Sequence, residues 1–238
     1  MTTFALVHGA WHDAWCWDRV GPLLQQAGHD VVAPNMPSDD GSADFDAYAD
    51  AVCGALQGRD DDVVVVAHSL AGTTGALVPH RRPVRHLVYL CAAVPEGGLS
   101  LIDQWQDQPD MVHPAFGDGW LQGLTAPDDQ MRTAWVDHGF AAEVFYADCD
   151  EATAEAALAH LRLQSGYPWT LPCSMTEHPS VSCTSVVCSE DLVVNPAWSR
   201  RMADRIGAEI VELPGSHSPM LSRPSALADV LLRVVAGN

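Results

Sequence analysis

Three residues of this chain have the types and the chain order that acyl transfer requires: Ser69, Asp191 and His217. A serine hydroxyl is a weak nucleophile until a base takes its proton. Histidine commonly serves as that base, while a carboxylate holds it in the right tautomer and stabilises the imidazolium that forms. Each of the three stands just past an apolar run. Ser69 follows Val63-Val64-Val65-Val66-Ala67-His68, Asp191 follows Val186-Val187-Cys188-Ser189-Glu190, and His217 follows Val211-Glu212-Leu213-Pro214-Gly215-Ser216. Glu190 and Glu96 are the competing acids; Asp191 is preferred because a turn directly after a strand aims that position at the histidine loop. Of the other histidines, His8 and His68 read as structural neighbours of their turns. His113, His138, His160 and His178 fall where surface or pocket lining is the default. His8 and His12 share a loop rather than a helix face, so they do not read as a metal pair.

The charge that develops on the carbonyl oxygen also needs donors. One is the backbone N–H of Leu70, directly after the serine. The other should come from the loop His8-Gly9-Ala10-Trp11, with the N–H of Ala10 as the candidate. Gly9 lets that loop approach the serine closely.

These groups need a rigid frame. Four consecutive valines read as a strand buried on both faces. Beyond Ser69 the apolar pattern becomes helical (Leu70, Ala71, Ala76, Leu77) and stops at Val78-Pro79. A strand that bends sharply into a helix with serine at the bend is a nucleophile elbow. Its usual G-x-S-x-G pattern here has Ala67 and Ala71 in place of the glycines; the bend strains the serine backbone and crowds its neighbours, so these side chains must be small. Further strands are expected over 3–8, 30–34, 84–94, 181–188 and 209–213. Helical spacing lies between them, through Val20, Leu23 and Leu24 to a stop at Gly28, over 46–56, and over 224–235. This alternation implies an α/β fold, a mostly parallel six-stranded sheet with helices on both faces. The three candidates then lie at carboxyl ends of parallel strands, where open sheets place their sites. Residues 95–180 break the rhythm. They show no convincing strand, have helical pieces near 128–138 and 151–163, and are rich in aromatics. They are read as an inserted, mainly helical cap on a core formed by 1–94 and 181–238.

The 238 residues, 47% hydrophobic and 18% charged, suit one domain with an inserted lobe. A net charge of −19, with no lysine and twelve arginines, repels nucleic acid and anionic membranes and disfavours polyanionic substrates. The start, Met1-Thr2-Thr3-Phe4, lacks the basic region of a signal peptide, and no apolar run nears the ~20 residues of a membrane span, so a cytoplasmic protein is expected. Seven cysteines cannot all pair internally and none has C-x-x-C spacing, so no metal site is expected. The oligomeric state is left open, with a homodimer as one candidate.

The motifs His8-Gly9-Ala10-Trp11-His12 with Trp15-Cys16-Trp17, Ala67-His68-Ser69-Leu70-Ala71-Gly72, Ser189-Glu190-Asp191-Leu192-Val193-Val194 and Gly215-Ser216-His217-Ser218-Pro219 resemble the α/β-hydrolase superfamily. More narrowly, they look like the plant methyl-salicylate esterase and hydroxynitrile lyase group and its bacterial relatives. The resemblance covers both ends of the chain. It implies an α/β-hydrolase fold with a cap over the serine, and cofactor-free chemistry on a small, fairly apolar ester or lactone. Well-known lyases of one branch carry threonine where this chain has Gly9 and lysine where it has Ser218. Neither is present, which favours hydrolysis through an acyl-enzyme. The alternatives are a lyase or biosynthetic tailoring enzyme using the same site without an acyl-enzyme, and a small-molecule receptor built on the hydrolase shell. The aromatics suggest an apolar pocket, with Trp11 and Trp135 as the candidate contacts.

Overall fold

The valine run forms strand β3 (Val63–His68), every residue of it buried. β-Branched side chains suit a pleated strand packed on both faces. In the computed structural model, which describes residues 1–237, β3 lies between β1 (Thr3–Val7) and β4 (His86–Leu90). Strand β2 (Asp30–Val32) flanks β1 on the outside, while β7 (Ser182–Cys188) and then β8 (Glu209–Leu213) continue the sheet beyond β4. Every ladder of this six-stranded sheet is parallel. The register pairs Val7 with Ala67, His68 with Leu90, Leu90 with Val186, and Cys188 with Leu213. Five strands therefore end along one edge, and the loops leaving that edge carry Ala10, Ser69, Asp191 and His217.

The helices follow from caps and small residues. They are α1 (Gly21–Gln26), α2 (Phe45–Ala55), α3 (Ala71–Leu77), α4 (Leu101–Asp107), α5 (Pro114–Gly117), α6 (His138–Tyr146), α7 (Glu151–Ala159), α8 (Pro196–Ile206), α9 (Pro219–Ser222) and α10 (Pro224–Ala236). Asp44 caps α2 by accepting from Ala47 N–H, and Asn195 caps α8, which has Pro196 at its first position. Helix α3 lies unusually close to the sheet. A Cβ on Gly72 would stand 2.0 Å from the Ala93 carbonyl oxygen, and one on Gly75 would stand 2.6 Å from Ala67 Cβ. Among the described residues no helix is long and apolar enough to cross a membrane.

Two expectations fail locally. Strand β4, expected over 84–94, ends at Leu90 because Cys91 takes a left-handed backbone, φ 46°. The helix expected over 128–138 is absent. The Asp128 carboxylate accepts from Gln130 N–H and Arg132 N–H and closes a turn, with Met131 at φ 56°. The chain then enters β5 (Arg132–Thr133), which pairs antiparallel with β6 (Gln164–Ser165), so 95–180 does contain a small ladder. Helix α6 begins only at His138, where Asp137 caps it.

Candidate active site

Ser69 occupies the bend between β3 and α3 with φ 56°, a region that non-glycine residues seldom enter. Such a backbone costs on the order of 1–3 kcal/mol and persists only where its surroundings over-determine it. Here Ser69 N–H donates to the Leu90 carbonyl at 3.0 Å, and the Ser69 carbonyl accepts from Gly72 and Ala93 N–H at 3.1 Å each. Ala67 and Ala71, in the two usual glycine positions, are buried. The contact of Ala67 with the backbone at Gly75 shows why nothing larger fits there.

His217 and Asp191 meet behind the serine turn, 1% and 3% exposed. His217 Nδ1 lies 2.9 and 3.0 Å from the two Asp191 oxygens. A carboxylate can only accept, so Nδ1 carries a proton, which leaves Nε2 as the basic nitrogen of the neutral ring. Asp191 is itself fixed, accepting from Val193 N–H at 2.8 Å and Val194 N–H at 3.2 Å. Ser69 Oγ makes no hydrogen bond among the described residues. The serine turn reaches the histidine through its neighbour instead: His68 Nε2–H donates to the His217 carbonyl at 2.9 Å, and the two rings are 4.7 Å apart. The competing acids lie elsewhere. Glu96 pairs with Arg205 and Gln108, and Glu190 is exposed.

The loop after β1 presses against the serine. A Cβ on Gly9 would stand 2.8 Å from Ser69 Cβ and 3.0 Å from His68 Nδ1. His8 Nδ1–H donates to the Gly9 carbonyl at 2.9 Å, while His8 Nε2 accepts from Met36 N–H at 3.0 Å. Because the peptide unit is planar, fixing the Gly9 carbonyl also fixes the Ala10 N–H on its opposite side. His12 repeats the device, donating from Nδ1 to the Ala10 carbonyl and accepting from Tyr146 hydroxyl, both at 2.8 Å. Each ring must be neutral to play both parts. Burial enforces this, lowering His8 and His12 from 6.5 to about 4. Burial and the adjacent His217 also hold His68 well below its ordinary range. Among the described residues the amides of Ala10 and Leu70 have no acceptor.

Ser69, Leu70 and Ala10 share the wall of a cavity of about 540 Å³. Its lining includes Val193, Val194, Trp11, Trp105, Phe116, Trp120 and Trp169; among the described residues, apart from indole N–H groups, Ser69 and Gln106 supply its polar side chains and none is charged. Trp11 thus lines the cavity as expected. Trp135 does not. Its ring packs behind Trp11 at 5.3 Å, and Gly123 backs it so closely that a Cβ there would meet the ring at 2.7 Å.

A model of the alpha/beta hydrolase family matches residues 4–230. The chain belongs to that family. Among its relatives, Methylesterase 7 of Arabidopsis thaliana is 29% identical, over 97% of this chain and 95% of its own length. Norfluorocurarine synthase 2 of a Strychnos species is 27% identical, over 97% and 94%. The crystal structure of a pyrethroid hydrolase from Sphingobium faniae JZ-2 superposes with a TM-score of 0.82 at 25% identity, covering 99% of this chain and 98% of that one. The resemblance to plant methylesterases and their bacterial relatives holds.

In this alpha/beta hydrolase, sequence reasoning missed the contacts of His12 and Tyr146 behind the loop after β1. Only the position of His12 near His8 hinted at its part. The Cys91 thiol, Asp191 carboxylate and His217 ring bring one donor atom each within 4.8 Å of one another. That trio suits a proton-holding pair better than a cation. His217 Nδ1 is committed to Asp191, and burial pushes the Cys91 thiol well above its ordinary range, leaving it protonated.

Proposed function

We propose that this chain hydrolyses a small, fairly apolar carboxylic ester, open or lactone, through an acyl-enzyme on Ser69. Ser69 attacks the carbonyl as His217 Nε2 takes its proton. Asp191 holds the Nδ1 proton and stabilises the imidazolium. The Leu70 and Ala10 amides receive the oxyanion. His217 then protonates the leaving alcohol and activates a water that releases the acid. The hydrogen bond from serine to histidine belongs to the substrate complex, since such bonds commonly tighten only there. No step calls for a metal or cofactor.

The single observation behind this reading is the left-handed Ser69, held by three backbone hydrogen bonds at a cavity wall beside two amides without acceptors. The 95–180 segment acts as the cap, and its aromatic wall selects an apolar acyl or alcohol group. Cyanohydrin cleavage is disfavoured on two counts. Ser218 cannot supply the cation that a departing cyanide needs, and Gly9 leaves no space for a side chain at the lyase threonine position. The test is rapid mixing with p-nitrophenyl esters of increasing acyl length. A nitrophenolate burst equal to the enzyme concentration, with an acyl mass added to the peptide holding Ser69, supports an acyl-enzyme. No turnover of any ester in the series, with neither burst nor adduct, would point to the tailoring reaction.

A further inference from the structure

The short connection between α6 and α7 carries an acid with no part in the chemistry above. Asp148 reaches from the 95–180 segment to the loop that bears His217. Ser216, 1% exposed, donates its hydroxyl to Asp148 Oδ1, and Arg223 Nε donates to Oδ2 at 3.1 Å. Between them the loop backbone is pressed onto the carboxylate. Gly215 has φ 114°, and a Cβ there would stand 2.3 Å from Asp148 Oδ2. We infer that Asp148 is a positioning residue for His217, clamping the base loop through the Ser216 hydroxyl. The inference rests on the reading of His217 as the base.

Three contacts hold that loop, each from a different direction. From the acid turn, Ser189 and Glu190 N–H donate to the Leu213 and Gly215 carbonyls at 2.9 and 3.0 Å. From the serine turn, His68 donates to the His217 carbonyl. Asp148 supplies the third, and of these three it alone uses a charged acceptor; the Asp191 carboxylate holds the His217 ring itself. A hydroxyl bonded to a partly buried carboxylate is among the stronger hydrogen bonds available to a neutral side chain. Without it, Ser216 can shift along the strand-end turn and take the His217 ring with it, while the contacts to Asp191 and His68 stay on the far side. The same corner of the segment touches the ring as well, with Phe145 5.9 Å from His217. Fixing 95–180 to the core does not depend on Asp148. Arg19 bonds the Thr153 hydroxyl and the Leu221 carbonyl, Arg162 N–H bonds the Trp11 carbonyl, and Ser165 N–H bonds the Ser38 carbonyl.

The experiment compares Asp148→Ala, Asp148→Asn and wild type on p-nitrophenyl butyrate, with the downfield proton NMR signal of His217 Nδ1–H as a second readout. Alanine is expected to lower kcat by about tenfold to a hundredfold with KM little changed, because a displacement near 1 Å costs roughly that much. Its Nδ1–H signal should shift or broaden. Asparagine keeps an acceptor for Ser216 and should restore most of kcat and the signal. Should the alanine variant not fold, Ser216→Ala removes the same hydrogen bond from the other partner and carries the same expectation. An alanine variant that matches wild type in both readouts overturns the inference. So does an asparagine variant as impaired as alanine, since the bond that its amide oxygen still accepts from Ser216 would then not be what positions the loop. If wild type turns over no ester, the reading of the site falls, and the NMR signal alone still decides the clamp.

Discussion

Replacing Gly9 with alanine should disable the oxyanion loop while leaving the protein folded. Gly9 is outside the left-handed region, so its backbone is open to alanine and the effect is one of contact alone. The new Cβ would stand 2.8 Å from Ser69 Cβ, 3.0 Å from His68 Nδ1 and 3.2 Å from the His68 carbonyl oxygen. Carbon atoms rest at roughly 3.5–4.0 Å, so the loop must retreat by about 0.7 Å. The serine turn cannot yield instead. Three backbone hydrogen bonds hold Ser69, and His68 is buried and bonded to the His217 carbonyl. Ala10 N–H moves with the loop, away from the oxyanion. Loss of one such donor costs about 10²–10³ in kcat, and a misplacement near 1 Å costs roughly 10². The expected fall in kcat is therefore about a hundredfold, with KM changed much less. Steady-state kinetics on p-nitrophenyl butyrate measure it, with thermal unfolding to confirm the fold. A folded variant with kcat within about twofold of wild type would remove Ala10 from the oxyanion role and refute the reasoning.

Further perturbations separate the remaining parts. Asp191→Asn should leave geometry nearly intact but offer His217 Nδ1 a donor as readily as an acceptor, lowering kcat by about 10⁴; a loss under about tenfold would move the acid role elsewhere. Trp120→Ala should open the aromatic wall and shift preference toward longer acyl chains, read as kcat/KM across a p-nitrophenyl ester series; an unchanged chain-length profile would detach that wall from substrate. Stability should fall with acidification between pH 6.5 and about 4. In that window the unfolded chain binds a proton at His8 and His12, whose folded values burial lowers to about 4. Each ring costs about 1.4 kcal/mol per pH unit there and nothing above it. Carboxylates held low by a partner, such as Glu212 beside Arg200, add their own loss only as pH falls toward 4.5 and below. Urea midpoints at several pH values test this, and a flat midpoint from pH 6.5 to 5 would contradict it.

The frame of the site was legible because its signals are local. Four valines, a serine and a helical pattern within sixteen residues define β3, the bend and α3, and strand-end positions then select Asp191 and His217. The 95–180 segment was less legible. Strands of two residues, such as β5 and β6, are too short to show alternation, and the turn at Asp128 depends on its side chain rather than on periodicity. Trp135 illustrates a second limit. Apolar spacing shows that an aromatic is buried, but only packing decides whether it faces the cavity or backs Trp11. The contacts made by His12, Tyr146 and Asp148 span 134 residues in one case and 68 in another, which no local pattern encodes.

The central claim is that Ser69 is the nucleophile. Treatment with a fluorophosphonate probe, followed by peptide mass mapping of wild type and Ser69→Ala, tests it most directly. One label on the peptide carrying Ser69 is expected, with loss of ester turnover in step with labelling, and neither label nor turnover in the alanine variant. A label on another residue, or an alanine variant that still hydrolyses esters at the wild-type rate, would contradict it.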